Sequence, residues 1–404
     1  MLKKADAKKD RGQRPGGGMF RRLFLGSLLL FVLTACGAAQ AGETESAGRD
    51  TGAAIGQPEN TSLPGLTYTG RETLQYADRF SIDDYEGGYH LLCLMDGKKI
   101  LTVPEGAAVP EGLPEEILTV RQPLDRVYLV ASASMDFFAS IGAVDTLRFC
   151  GLEEKGWYVP EAALAMRQGS LVYAGKYSAP DYEMLLQGGC RLAIENTMIT
   201  HSPEVIEKLE ELGIPVIIDY ASYEDHPLGR VEWVKFYGAL SGREAEAEKA
   251  FEEQSAQAEG YEESGKTVAF FYIRQDGAAV IRRSDDYVPM MIRLAGGIYL
   301  PKDAWGENRL STETIQMEEF YAAAKDADYL IYNGTTAGEI HSMAELLEKS
   351  ALMREFRAVQ EGRVYAVSQD LYQSTMSLGT VIGDIHRMLS DAPSEELVFL
   401  KKIE

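Results

Sequence analysis

The order of hydrophobic and polar positions divides the chain into stretches with different rhythms. Over residues 66–123 apolar residues come in short runs broken by Gly, Pro and Glu, which predicts short strands. HLLCLM and KKILTV flank Asp96-Gly97, and Asp-Gly supplies the turn of a hairpin. From Asp125 the rhythm changes. RVYLVAS, LRFCGL, CRLAIEN and IPVIIDY are near-continuous apolar runs, and LVYAGK reads as a strand or loop. MDFFASIGAV, PEAALAMRQ, APDYEMLLQGG and SPEVIEKLEELG carry helical spacing between them. Buried strands alternating with helices predict a parallel sheet covered on both faces. SPEVIEKLEELGIPVIIDY is the cleanest unit: Ser202 is an N-cap candidate, Pro203 suits the first turn and Gly213 closes the helix.

HPLGRVEWVKFYGAL, residues 226–240, follows. Trp233, Phe236, Tyr237 and Leu240 form one apolar stripe, and Leu228, Val231 and Val234 a second. A helix apolar on two faces is covered on two sides. Ser241-Gly242 interrupts, and REAEAEKAFEEQSAQAEGYEE resumes as a more solvated helix. After Lys266 the alternation restarts with TVAFFYI, DYLIYNG and GRVYAVS as strands. DDYVPMMIRLAGG, MEEFYAAAKDA, MAELLEKSALMREFRAV and SLGTVIGDIHRML read as helices. The halves echo each other loosely, so two similar α/β lobes with mostly parallel sheets are expected.

The first 65 residues belong to no such pattern. MFRRLFLGSLLLFVLTAC begins at Met19 with two arginines and an apolar run too short to span a bilayer. Leu33-Thr34-Ala35-Cys36 resembles a bacterial lipobox, in which the cysteine receives lipid. The expectation is a signal peptide over 1–35, true start Met19, and lipidation at Cys36. Residues 37–65 are rich in Gly, Ala, Ser, Thr and Glu, a flexible tether. The remaining boundaries are 66–123 for a β-rich extension of the first lobe and 124–225 for the first lobe. An interlobe helix over 226–262 and a second lobe over 263–404 complete the chain.

Charge narrows the function. The 404 residues carry a net charge of −22, about −28 once residues 1–35 are removed. That argues against nucleic acid, whose phosphates need a basic face, and leaves lipid rather than a basic patch as the membrane anchor. The anchor would hold the protein, read as a monomer, on the extracytoplasmic face of a bacterial cell membrane. Cys93, Cys150 and Cys190 fit no zinc spacing; they allow one disulfide at most, and buried free thiols are the default reading. The five histidines are dispersed. Gly260 to Thr267 matches a phosphate-loop pattern, but a helix precedes it and a strand follows, the reverse of what the motif needs. No nucleophile motif is present, and nothing favours an enzyme or a resident cofactor or metal.

Ligands of open α/β sheets bind beyond the carboxyl ends of strands. That rule selects Ser132, Ser134, Met135, Lys176, Tyr177, Glu195, Asn196, Thr197 and Met198 in the first half. In the second it selects Arg274, Arg282, Arg283, Asn333 and Tyr372. Cations, amides and aromatics suit a bulky chelate with anionic oxygens. The alternative is that most of them cap helices or end strands.

PEVIEKLEELGIPVIIDYASYEDHPLGRVEWVKFYGALSGREAEAEKAF resembles the centre of a substrate-binding lipoprotein of ABC importers for iron–siderophore complexes, haem and cobalamin. MDFFASIGAVD and MIRLAGG are similar to the helix-start segments of its two lobes. The resemblance implies two Rossmann-like lobes joined by one long helix, with the ligand between them. Ferric siderophore leads, with cobalamin or haem as alternatives within the family. A lipoprotein binding bare zinc or manganese is a further alternative, and an extracellular enzyme on the same scaffold a third. The resemblance also implies docking onto a permease, and through it its ATPase, by an acidic residue on each lobe. The matching positions are Glu204 and Glu318 or Glu319. The competing account is that helix dipoles favour carboxylates there.

Overall fold

The computed structural model describes residues 62–302 and 311–404. The expected signal segment, Cys36 and the tether up to residue 61 lie outside the described residues.

Five strands come first: β1 (Tyr68–Arg71), β2 (Phe80–Tyr85), β3 (Tyr89–Leu94), β4 (Lys99–Val103) and β5 (Ile117–Arg121). They form one sheet in chain order, antiparallel except for the β4–β5 pair. The β3–β4 hairpin turns at Asp96-Gly97, where Gly97 takes φ 86° and Asp96 Oδ1 accepts the Lys98 N–H at 2.9 Å. Period-two alternation gives the sheet two apolar faces. Ile82, Leu92 and Ile100 join the main core, while Leu91 and Leu101 face a small core closed by Leu63 and Leu66. The 66–123 region is thus a five-stranded sheet with the Asp96-Gly97 hairpin inside it.

The first lobe runs β6 (Val127–Leu129), α1 (Met135–Ser140), β7 (Leu147–Cys150), α2 (Pro160–Arg167) and β8 (Val172–Tyr173). A small hairpin, β9 (Gly175–Lys176) and β10 (Ala179–Pro180), precedes α3 (Tyr182–Gln187), β11 (Leu192–Asn196), α4 (Pro203–Glu211) and β12 (Val216–Asp219). The sheet order is β12-β11-β6-β7-β8, parallel throughout. Pro203 opens α4 as expected, but the Ser202 side chain makes no cap bond.

The second lobe contains β13 (Thr267–Ile273), β14 (Ala279–Arg282), α7 (Tyr287–Leu294), β15 (Ile298–Leu300) and β16 (Thr312–Ile315). It continues with α8 (Met317–Ala324), β17 (Tyr329–Asn333), α9 (Gly334–Ala337), α10 (Met343–Lys349), α11 (Arg357–Gln360), β18 (Val364–Val367), α12 (Leu378–Leu389) and β19 (Leu400–Lys402). β13, β15, β17 and β18 pair in parallel; β14, β16 and β19 add antiparallel pairs outside them.

Between the lobes the structure departs from one continuous helix over 226–262. α5 (Pro227–Ser241) ends at Gly242, whose φ of 74° is left-handed, and the Arg243 N–H returns to Gly238 O at 2.8 Å. α6 (Glu244–Ser255) then folds back on α5. Two glycines permit the packing: a Cβ at Gly238 would lie 2.5 Å from the Ala247 Cβ, and one at Gly229 would lie 2.9 Å from Tyr76 O. Every residue of α5 except Arg230 is buried. Cover comes from β2 and β3, from α1 of the first lobe, from α7 and α12 of the second, and from α6. One apolar core therefore runs from Phe80 through Val127, Trp233 and Phe236 to Phe270 and Tyr329.

Candidate functional site

The ends of the first-lobe strands are locked to α5. Beyond β6 the Ser132–Ser134 turn leads into α1, and the Ser134 hydroxyl donates to Asp219 Oδ2 at 2.7 Å. The Tyr237 phenol of α5 donates to the same oxygen, and Asp219 Oδ1 accepts the Ala221 N–H at 2.9 Å. Burial raises the Asp219 carboxyl above its ordinary pKa, although these hydrogen bonds oppose it. Phe137 and Phe138 pack on the Tyr237 ring at 5.1 and 5.0 Å.

Among the described residues, two contacts mark where the lobes and the helix between them come together. At the first, residues 156–158 of the first lobe meet residues 369–373 of the second. Tyr158 and Tyr372 are each 42% exposed and their rings meet edge to face, centroids 5.8 Å apart. The Tyr158 hydroxyl donates to Gln369 Oε1 at 2.9 Å, and the Tyr158 N–H to Gln373 Oε1 at 2.8 Å. Nearby, Asp136 at the start of α1 accepts the Met376 N–H at 2.7 Å. Burial pushes the Asp136 carboxyl up to about 6 against that bond. A cavity of about 570 Å³ adjoins this contact, lined by Glu153, Glu154, Lys155, Trp157, Ala163 and Arg167.

At the second place Arg230, held by the Ser222 and Glu224 carbonyls at 2.6 and 3.0 Å, lies over the Tyr287 ring at 3.8 Å. Such stacking of a guanidinium on an aromatic face is favourable. Arg282 shares the Tyr287 ring at 5.7 Å and pairs with Asp286 at 3.7 Å, while Arg283 pairs with Asp285 at 3.3 Å. Aromatic faces and guanidinium groups at a lobe boundary suit a bulky ligand with anionic oxygens.

The residues selected from the sequence divide accordingly. Ser132 and Tyr372 belong to the first contact, since the Ser132–Ser134 turn packs on residues 369–373. Arg282 and Arg283 stand beside the second. Four others correct the expectation. Ser134 and Met135 are buried, the first by its bond to Asp219 and the second in the core. Asn333 is buried and caps α9, its Oδ1 accepting the Thr335 N–H at 3.1 Å and the Thr335 hydroxyl at 2.6 Å. Glu195 has no exposed surface, and neither oxygen finds a hydrogen-bond partner among the described residues. Burial pushes it up to about 8, so it is a neutral acid inside the lobe rather than an anion at its surface.

Asn196 caps the turn after β11 through the Met198 N–H at 2.9 Å, with Thr197 and Met198 half-buried in that turn. Lys176 is exposed on β9, and Tyr177 packs on the first-lobe core. Arg274 sits exposed in the β13–β14 turn, 3.5 Å from Asp276. Glu204 in the first turn of α4, and Glu318 and Glu319 in the first turn of α8, are exposed.

Sequence reasoning missed Asp136, Tyr158, Arg230, Tyr287 and Gln373. Tyr158 lies two residues before the proline that opens α2, and Arg230 is one of three charged residues in an otherwise apolar helix; those were the available signals. Gln373, within the polar stretch QDLYQS, gave none.

No family model matches the chain. An uncharacterised lipoprotein of Methanocaldococcus jannaschii is 27% identical over 351 residues, 80% of this chain and 81% of the relative. A second from the same organism is 26% identical over 373 residues, 87% and 90% of the two chains. Among solved structures, a periplasmic haem-binding protein of Vibrio cholerae matches with a TM-score of 0.53 at 17% identity, covering 64% of this chain and 97% of that one. A periplasmic haem-binding protein of Pseudomonas aeruginosa gives 0.51 at 16% identity, covering 69% and 98%. A possible iron-binding periplasmic protein of Staphylococcus epidermidis gives 0.51 at 13%, covering 66% and 99%. With its two α/β lobes joined through a buried helix, the chain has the fold of the class III periplasmic binding proteins.

Proposed function

We propose that the protein is an extracytoplasmic solute-binding lipoprotein that delivers a metal chelate, foremost a ferric siderophore, to an ABC importer. The observation that carries this reading is the lobe boundary itself. Exposed tyrosines from both lobes meet there, and Arg282 and Arg283 flank the second contact. Similarity in fold to haem- and iron-binding periplasmic proteins supports it, as does similarity in sequence to chains named as lipoproteins. The role is binding and handover, not catalysis. Cys36 would carry the lipid. Glu204 and one of Glu318 and Glu319 would meet the permease, one from each lobe.

Haem is the second reading, favoured by the Tyr158–Tyr372 pair, whose rings offer faces and phenol oxygens to a planar ligand. Cobalamin follows it. Bare zinc or manganese fits less well, because among the described residues no group of three His, Cys, Asp or Glu side chains is arranged to hold a metal ion.

The test is thermal shift and tryptophan fluorescence of the full chain against ferric siderophores, haem, cobalamin, zinc and manganese. A ligand at a hundred times its Kd stabilises by about 2.7 kcal/mol. A chelate that raises Tm, with weaker binding in Arg282→Ala and Tyr372→Ala, supports the reading. A shift with free zinc or manganese alone overturns it.

A further inference from the structure

Gln373 has no exposed surface, although it lies in a polar stretch between two lobes. A primary amide offers two N–H donors and one oxygen. Here the Nε2 donates to Gly156 O at 2.8 Å and to Tyr372 Oη at 2.9 Å, while Oε1 accepts the Tyr158 N–H at 2.8 Å. Two of the three bonds cross to the first lobe, and the third holds the exposed tyrosine of its own lobe. Burying an amide is costly unless its hydrogen bonds are made. The buried position of Gln373 therefore depends on the lobes being in contact.

The surrounding bonds point the same way. Tyr158 Oη reaches Gln369 at 2.9 Å, the Met376 N–H reaches Asp136 at 2.7 Å, and the Tyr158 and Tyr372 rings stand at 83°. All of these groups belong to the chain, so the connection needs no bridging solute. Trp157, Leu371 and Met376 flank it and join the apolar core around α5, so the amide sits where the loops of the two lobes meet that core.

We propose that Gln373 is an interlobe latch and the positioning residue of the boundary tyrosines. Its one amide sets the geometry of the Tyr158–Tyr372 pair and ties residues 156–158 to the second lobe. A solute that enters between these loops must exchange bonds with it, so Gln373 couples entry to separation of the lobes.

Amide hydrogen exchange of the full chain without added solute reads the latch directly and is independent of which solute, if any, is bound. In the wild type the amides of Tyr158 and Met376 should be protected. Gln373→Leu keeps the side-chain volume and removes all three bonds. It should accelerate exchange at Tyr158 at least tenfold and at Met376 severalfold, leaving residues 231–240 of α5 unchanged. Tyr372→Phe, at an exposed position, removes one partner of the amide. It should raise Tyr158 exchange about threefold while melting with the wild type. The proposal is overturned if Tyr158 exchanges equally in wild type and both variants. It is also overturned if Tyr158 is unprotected in the wild type, or if the α5 amides accelerate as much as Tyr158, since Gln373 would then be only a packing residue.

Discussion

Replacing Glu232 by glutamine should loosen the N-terminal sheet from the helix that joins the lobes. Glu232 lies in α5 with no exposed surface. Its Oε1 accepts the N–H of Gln75 at 2.8 Å, and its Oε2 those of Tyr76 at 2.8 Å and Ala77 at 2.9 Å. Glu224 continues the pattern, accepting the N–H of Asp78 and Arg79 at 3.1 and 3.0 Å and the Trp233 indole at 3.0 Å. Two carboxylates thus hold five consecutive backbone amides. A hydrogen bond to a charged group contributes about 1.5–3 kcal/mol. In Glu232→Gln one oxygen becomes an NH₂ that faces a backbone donor, and the other loses its charge. The loss of one bond and the weakening of two should cost about 2–4 kcal/mol. One continuous core joins sheet and lobes, so the loss should appear in a single unfolding transition. At about 2 °C per kcal/mol for a chain of this size, Tm should fall by about 4–8 °C. Urea unfolding followed by fluorescence gives the energy, and hydrogen exchange over residues 73–80 gives its location. A variant within 0.5 kcal/mol of wild type, with unchanged exchange at residues 75–77, would refute the claim that Glu232 anchors the extension.

Three further outcomes are expected. Glu195→Gln should stabilise the protein at pH 8 by about 3–5 kcal/mol and have no effect near pH 4.5. Burial raises this carboxyl to about 8, so its folded-state contribution is present at low pH and lost as pH rises; urea midpoints at both pH values check it. His90 lies 2.7 Å from Asp84 and 3.2 Å from Glu244. Burial lowers its pKa, but hydrogen bonds to Glu244 and Asp84 and their charges outweigh that and leave it raised. Its contribution should be complete below about pH 6.5 and lost as pH rises through the folded-state value, a dependence that His90→Gln should flatten in pH-resolved melting curves. Trp233→Ala, at a site with no exposure between Phe80 and Phe236, should cost about 3–5 kcal/mol in urea unfolding.

How much of this was legible in the sequence depended on the range of the signal. The first-lobe strands were readable because both faces of a parallel sheet are buried, so each became a continuous apolar run. The all-round apolar character of α5 was readable too, but only two covering neighbours were inferred from it. The third, the 66–123 sheet, packs on α5 through Phe80, Ile82 and Leu92 and is also held by backbone amides gripped by Glu224 and Glu232, and backbone donors leave no residue signature. The break at Gly242 was visible as Ser-Gly, yet a glycine inside a helical pattern does not reveal whether it terminates the helix. Strands β14, β15, β16 and β19 were missed because each has four residues or fewer and flanks the β13–β17–β18 path. Of the loop residues chosen, Glu195 and Asn333 stand at strand ends as the rule requires. The rule does not say which side of the sheet a side chain takes. Gln373 and Tyr158 sit in irregular segments more than two hundred residues apart in the chain, where no periodicity reports proximity.

The packing of α5 limits how the lobes can move. The helix is gripped by the extension through Glu232, by the first lobe through Tyr237 and Asp219, and by the second lobe through Tyr287 on Arg230. A rotation wide enough to pull either lobe off α5 would expose rings such as Trp233 and Phe236. Each buries about 150–250 Å², and at about 25 cal/mol per Å² exposing one costs about 4–6 kcal/mol. Nanomolar binding releases about 12 kcal/mol in total, and only the difference in affinity between two states can drive a shift. Separation at the Gln373 contact breaks a few hydrogen bonds, each contributing about 1 kcal/mol, and shifts only Trp157, Leu371 and Met376 at the margin of the core. On this balance, motion would be concentrated at the boundary loops, as a displacement of residues 156–158 against 369–376 with α5 as a fixed axis, rather than a wide hinge.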